Sequence, residues 1–223
     1  MSRMATYALI HGAGDVGWYW HLLEGELRAR GHNTVAPDLP CDDDAAGLPE
    51  YANVVVDAIG HAKDVVVVGQ SLGGFTAPLV CERIATDLLV LLAPMIPAPG
   101  DSPASYWTST GYDREERVHY DDPVDLFYQD VPPELAVEAL SKGRAQSEAR
   151  MDEPWPLDAW PNVPTRVLLC RDDRLFPARF VRRVAQERLG TAPDEIDGGH
   201  CVALSRPLEL ADRLVSYTAN ASS

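Results

Sequence analysis

Gly69-Gln-Ser-Leu-Gly73 sets a serine between two glycines in the G-x-S-x-G spacing of a strained strand-to-helix turn. A hydroxyl is a weak nucleophile until a base takes its proton. Ser71 therefore implies a histidine, and the histidine an acid to orient it. Attack on a carbonyl also creates an oxyanion, which needs N–H donors. Leu72, the residue after the serine, offers one from its backbone. The stretch His11-Gly-Ala-Gly14 is small and glycine-rich, so its backbone can turn an N–H toward a ligand, and Ala13 is the chosen second donor.

Of the 6 histidines, His200 follows the last strand signal and sits in Asp197-Gly-Gly-His200, where two glycines let a loop carry the imidazole toward Ser71. His11 belongs to the oxyanion loop and reads as its organiser. His21, His32, His61 and His119 read as structural or solvated. For the acid, Asp173 is preferred because it lies four residues before Pro177, on the loop past the strand that ends at Cys170. Asp172 is the close alternative and Asp197 ranks third. The order serine, acid, histidine is then kept along the chain.

Other chemistries fit less well. Gly12-x-Gly14-x-x-Gly17 matches the dinucleotide fingerprint formally, but only Asp38 stands in reach of a ribose register. Trp18, Tyr19 and Trp20 would crowd the helix start. Asp42-Asp43-Asp44 lacks a glycine-turned ligand loop and reads as solvent-facing rather than as a metal site. Cys41, Cys81, Cys170 and Cys201 form neither a Cys-x-x-Cys pair nor a zinc pattern, so reduced thiols in a cytoplasmic setting are expected. Cys201, beside His200, reads as small apolar filler. A net charge of −15, from 34 acidic and 19 basic residues, disfavours nucleic acid as a partner. No apolar run is long enough to span a bilayer, and the N-terminus leaves no room for a signal peptide before the first strand.

The scaffold that must hold these groups is legible in the alternation of apolar runs and helical stretches. At 223 residues the chain has the length of one well-buried core. Strands are expected at residues 6–10, 34–38, 65–68, 88–92 and 165–170, with a further strand leading into the His200 loop. Helices are expected at 18–30, 48–62, 75–84, 178–189 and 207–217. The β-branched run Val65-Val-Val-Val68 marks a central strand covered on both faces. This order predicts an α/β fold: a mostly parallel sheet with helices on both faces.

Residues 97–164 break the rhythm with prolines and aromatics, and helices are expected there only at 124–129 and 133–149. They read as a cap inserted between two strands, residues 1–96 and 165–223 forming the core. Its aromatics are Tyr106, Trp107, Tyr112, Phe127, Tyr128, Trp155 and Trp160. Most should anchor the cap, and about one in three should line a pocket. Residues 220–223 read as a frayed tail.

His11-Gly-Ala-Gly14, Pro37-Asp-Leu39, Gly69-Gln-Ser-Leu-Gly-Gly74, Arg171-Asp-Asp-Arg-Leu-Phe-Pro177 and Gly198-Gly-His200 together resemble the α/β-hydrolase superfamily. His11-Gly-Ala followed by Trp18-Tyr-Trp20, and the short chain, are similar to the branch of plant methylesterases and hydroxynitrile lyases. The resemblance implies a cap over the site, no cofactor or metal, and a small ester as substrate. Catalysis would run through Ser71, His200 and Asp173 by way of an acyl-enzyme. Lyase members rely on a cap lysine, and Lys142 is the single lysine of residues 97–164. Lyase or C–C bond-cleaving chemistry with the same triad is one alternative; a non-catalytic ligand receptor is another. A homodimer is compatible with these features.

Overall fold

All strands of the sheet run in the same direction. The computed structural model describes residues 4–112 and 119–220. β1 (Thr6–Ile10) passes through a 3₁₀ turn (Gly17–Trp20) into α1 (His21–Ala29) and β2 (Asn33–Val35). α2 (Leu48–Ile59) leads to β3 (Val65–Gln70), α3 (Gly73–Cys81) and β4 (Leu88–Leu92). An intervening segment carries α4 (Tyr106–Ser109), α5 (Pro123–Phe127) and α6 (Pro133–Lys142) before β5 (Thr165–Cys170). α7 (Ala178–Leu189), β6 (Asp194–Ile196), α8 (Val202–Ser205) and α9 (Pro207–Asn220) follow.

The strand order is β2-β1-β3-β4-β5-β6, and every neighbouring pair is parallel. Successive side chains alternate between faces because a strand has period two. Ala8, Ile10, Val65, Val67, Leu89 and Leu91 join the cluster that packs α2, α3 and α7 on one face. Tyr7, Leu9, Val66, Val68, Leu88, Val90 and Leu92 join α1, α8 and α9 on the other. The valine run is thus buried on both sides, which is why it shows no polar alternation.

The chain moves outward from β1 to β2, then returns to β3 on the opposite side of β1. Such a reversal leaves a crevice at the carboxyl ends of β1 and β3, the place where open α/β sheets take ligands. The loops after those two strands carry Ala13 and Ser71.

Several element bounds differ from the sequence expectation, and the causes are local. The strand expected at 34–38 stops at Val35, since Pro37 has no N–H to pair and Asp38 Oδ1 accepts the Gly17 N–H at 2.7 Å. The helix expected at 133–149 ends at Lys142. Beyond it the backbone bonds elsewhere: Arg144 N–H to the Gly14 carbonyl at 2.8 Å and Ser147 N–H to the Cys41 carbonyl at 2.7 Å. The helix expected at 18–30 starts as the 3₁₀ turn, and the one at 48–62 ends at Ile59 before Gly60, which has φ 57°. The short α4 and α8 carry no periodic signal, having only one turn each. Residues 221–223 of the expected tail lie outside the described residues.

Candidate active site

β3 runs straight into the serine. Ser71 has φ 52°, in the left-handed region that costs a side-chain-bearing residue about 1 kcal/mol or more. The turn is held by Ser71 N–H to the Leu92 carbonyl at 3.1 Å and by Gly74 and Met95 N–H groups to the Ser71 carbonyl at 2.9 and 3.0 Å. It is so tight that a Cβ on Gly69 would lie 2.6 Å from the Gly73 carbonyl oxygen, and one on Gly73 2.8 Å from that of Ile10. Both flanking positions exclude any side chain for this reason. Ser71 is nearly buried and precedes α3, whose amino end carries the positive pole of the helix dipole.

Leu72 and Ala13 line one cavity with Ser71. Among the described residues neither N–H is spent on an intramolecular hydrogen bond. His11, in the loop after β1, bonds on both sides of its ring. His11 Nε2 accepts the Leu39 N–H at 3.0 Å, so the ring proton sits on Nδ1 and is donated to the Gly12 carbonyl at 2.8 Å. Burial pushes the His11 pKa down, which keeps this doubly bonded ring neutral.

His200 and Asp173 meet from neighbouring loops. His200 Nδ1 lies 2.8 Å from Asp173 Oδ2, with both side chains nearly inaccessible. Asp173 Oδ1 accepts the N–H groups of Leu175 and Phe176 at 2.8 and 2.9 Å, which fixes the carboxylate. Phe127 and Phe176 flank the imidazole at 5.5 and 5.6 Å. Nδ1 is engaged, and His200 lines the same cavity as Ser71. Asp172 turns elsewhere, its Oδ2 accepting the Gly198 N–H at 3.2 Å. Asp197 pairs with Arg171 in an exposed network that includes Glu195. Burial pushes the Cys201 thiol well above its usual pKa, and the nearby Asp15 and Asp173 charges add to this.

Ser71, His200, Ala13 and Leu72 line a cavity of about 980 Å³. Trp107, Phe127 and Tyr128 form part of its wall, so three of the seven aromatics named above reach it. The others are anchors. Trp155 Nε1–H donates to the Phe75 carbonyl at 3.0 Å, and Trp160 Nε1–H to that of Pro97 at 3.1 Å. Tyr112 donates its hydroxyl to the Leu175 carbonyl at 2.7 Å, and the Tyr106 hydroxyl accepts the Ile96 N–H at 3.2 Å. Lys142 lies outside the described cavity wall, over the Trp18 ring at 5.2 Å and 3.5 Å from Glu138. The three neighbouring aspartates diverge: Asp42 to Arg144, Asp43 to the Ala45 N–H and Asp44 to Ser147.

Four polar residues that contact the site loops escaped the sequence reading. Gln146 Oε1 accepts the Gly14 N–H at 3.2 Å, and its amide also donates to the Tyr51 hydroxyl at 3.0 Å. Gln129 Nε2–H donates to the Asp172 carbonyl at 2.9 Å, and Asp130 Oδ2 accepts the Gly199 N–H at 2.8 Å. A Cβ on Gly199 would lie 2.2 Å from Gln129 Nε2, so the double glycine before His200 also makes room for this contact. Asp15, in the cavity wall, is the fourth. Gln146 and Gly14 are 132 positions apart, and no local pattern announces such a bond.

An α/β hydrolase family model matches residues 8–213. The chain is 33% identical over 106 residues to a probable esterase of Oryza sativa subsp. indica, an alignment spanning 42% of this chain and 40% of that one. It is 23% identical over 256 residues to norfluorocurarine synthase 1 of a Strychnos species, covering 92% and 91% of the two chains. Among solved structures, polyneuridine aldehyde esterase (H244A variant) superposes with a TM-score of 0.81 at 20% identity, over 96% of this chain and 99% of that one. The match spans well under two thirds of the rice relative's length, and the structural likeness speaks for the fold alone. With a family model covering nearly the whole chain, this protein belongs to the α/β hydrolase family.

Proposed function

We propose that the protein is a serine hydrolase that cleaves small carboxylic esters through Ser71, His200 and Asp173, beneath a cap formed by residues 97–164. The observation that carries this reading is the buried 2.8 Å contact between His200 Nδ1 and Asp173 in the cavity that also holds Ser71. The esterase name of the rice relative supports the reaction class.

In this reading His200 Nε2 takes the Ser71 hydroxyl proton as Oγ attacks the ester carbonyl. The Ala13 and Leu72 N–H groups hold the oxyanion, and Asp173 stabilises the imidazolium. Collapse breaks the bond to the alkoxy oxygen, which leaves with the proton from His200 as the alcohol. The acyl-enzyme is then hydrolysed: His200 takes a proton from water, hydroxide attacks the acyl carbon, and Ser71 departs with that proton. The products are the acid and the alcohol. The position of Lys142 outside the cavity wall weighs against the lyase alternative.

Ser71→Ala is expected to abolish turnover of a short nitrophenyl ester and labelling by a fluorophosphonate, with the melting temperature little changed. Undiminished hydrolysis in that variant would overturn the assignment.

A further inference from the structure

Asp15 lies two residues beyond Ala13 on the loop after β1 and lines the same cavity as Ser71 and His200, yet the steps above give it no task. Its Oδ1 accepts the Val16 N–H at 2.9 Å, and among the described residues no lysine or arginine forms an ion pair with it. Arg144, the arginine of the cavity wall, is committed to the Leu39 carbonyl and to Asp42.

The titratable groups facing Asp15 come from several elements. His200 and Cys201 belong to the loop after β6, and Asp38 to the loop after β2. Tyr19 stands on the 3₁₀ turn and Tyr128 after α5. Cys41 lies behind the loop, its Sγ 3.8 Å from the Asp15 carbonyl oxygen. Of these groups only His200 can carry a positive charge. A half-buried carboxylate without a cation is costly, and it repels any ligand group of negative charge. A cation brought in by the ligand reverses both effects. The aromatic rings of Trp107, Phe127 and Tyr128 in the same cavity also suit an onium group.

We infer that Asp15 is a recognition carboxylate that selects esters bearing a positively charged nitrogen, quaternary or protonated, over uncharged and anionic isosteres. This assignment rests on the reading of Ser71 as an ester-cleaving nucleophile. Burial raises the Asp15 pKa to about 6, against the pull of the Val16 N–H and the His200 imidazole, so charge selection should have its own pH dependence.

The test compares kcat/KM within two matched ester pairs, one with a trimethylammonium group in the alcohol and one with it in the acyl chain. The reference in each pair is the tert-butyl isostere. Protonation of His200 affects both members equally and cancels in the ratio. At about pH 8 the cationic member of at least one pair should be preferred on the order of tenfold or more, the size of one hydrogen-bonded charge contact. The preference should fade as the pH falls below about 6, where the carboxyl protonates. Asp15→Asn should remove it by lowering kcat/KM for the cationic ester. The pH series uses the unmodified protein, so the test survives a variant that folds poorly.

No preference in either pair, or one that persists in Asp15→Asn and at about pH 5, would overturn the assignment. The uncharged members keep the two readings apart. If they are not hydrolysed, or are hydrolysed equally by Ser71→Ala, the ester-hydrolase reading falls and the assignment with it. A flat charge ratio with intact, Ser71-dependent turnover strikes Asp15 alone.

Discussion

The carboxyl edge of the sheet and the segment between β4 and β5 face each other across the cavity, and they are held in place by different means. At the edge, backbone meets backbone. Ser71 N–H reaches Leu92 and Met95 N–H reaches Ser71, both within a 3.1 Å limit. The intervening segment leans more on side chains, Trp155 on Phe75 and Tyr112 on Leu175, beside the backbone bonds of Arg144 to Gly14 and Ser147 to Cys41. The Arg188–Asp101 pair adds a contact of 2.5 Å, with each side chain only 10% exposed. A backbone joint tolerates almost no substitution, because its partner atoms have no rotamers to yield with. Side-chain anchors fix a few points and leave the wall between them free to differ. The proposed chemistry sits on the first kind of support. Most of the pocket's aromatic wall sits on the second, and Asp15 is a selecting group placed on the stiff side.

Substitutions at the two regions should therefore fail differently. The largest effect is expected at the edge. Asp173→Asn keeps the shape but offers His200 the wrong partner, and should lower kcat/KM for an activated ester by about 10⁴-fold with little change in melting temperature. A comparable loss in Asp172→Asn instead would transfer the acid's role. Next, Gly74→Ala would place a Cβ 2.0 Å from the Met95 carbonyl oxygen. A cost of several kcal/mol, on the order of 4 or more, is expected in urea unfolding, since backbone must move on both sides. Trp155→Ala on the other side removes a buried indole and its bond to Phe75, and should cost about 3 kcal/mol. If it costs more than Gly74→Ala, the contrast between the two supports is wrong.

Gln146 is one of the places where the regions touch directly. Gln146→Ala leaves the Gly14 N–H without its acceptor, and loss of one such support should lower kcat by about tenfold, with KM for a small ester nearly constant. A KM change alone would make Gln146 a wall residue and no more. The smallest effect concerns Asp15 and stability. Its pKa is raised from 3.8 to about 6, so the fold favours the protonated carboxyl. That contribution is fully present below pH 3.8 and is lost as the pH rises through about 6. Asp15→Asn should accordingly be about 1 kcal/mol more stable than the parent near pH 8, with the gain vanishing near pH 4. Equal melting curves at both values would show that solvent already relieves the charge.

Much of this architecture is legible in the residue order. β1, β4 and β5 have the bounds that their apolar runs suggest, because a strand buried on both faces must be continuously apolar. Ser71 is legible for a local reason as well, since the glycines that permit the turn are its own neighbours. The end of α6 was not legible. Residues 143–149 keep a helical composition, but their backbone groups find partners on the loops after β1 and β2, far away in the chain.

The choice among Asp172, Asp173 and Asp197 marks the same boundary. Sequence order and loop position favoured Asp173 but left its neighbours open. Folding turned one carboxylate to His200, one to the Gly198 N–H and one to Arg171. What the sequence alone determined is the layered sheet, the elbow and the loops that could carry a base and an acid, because periodicity and small-residue spacing are properties of neighbours. What only the tertiary structure decided is which aspartate meets the histidine, which aromatics face the cavity and that Gln146 and Asp130 hold the site loops. Those depend on side-chain directions between segments up to 132 positions apart, where no local rule constrains the approach.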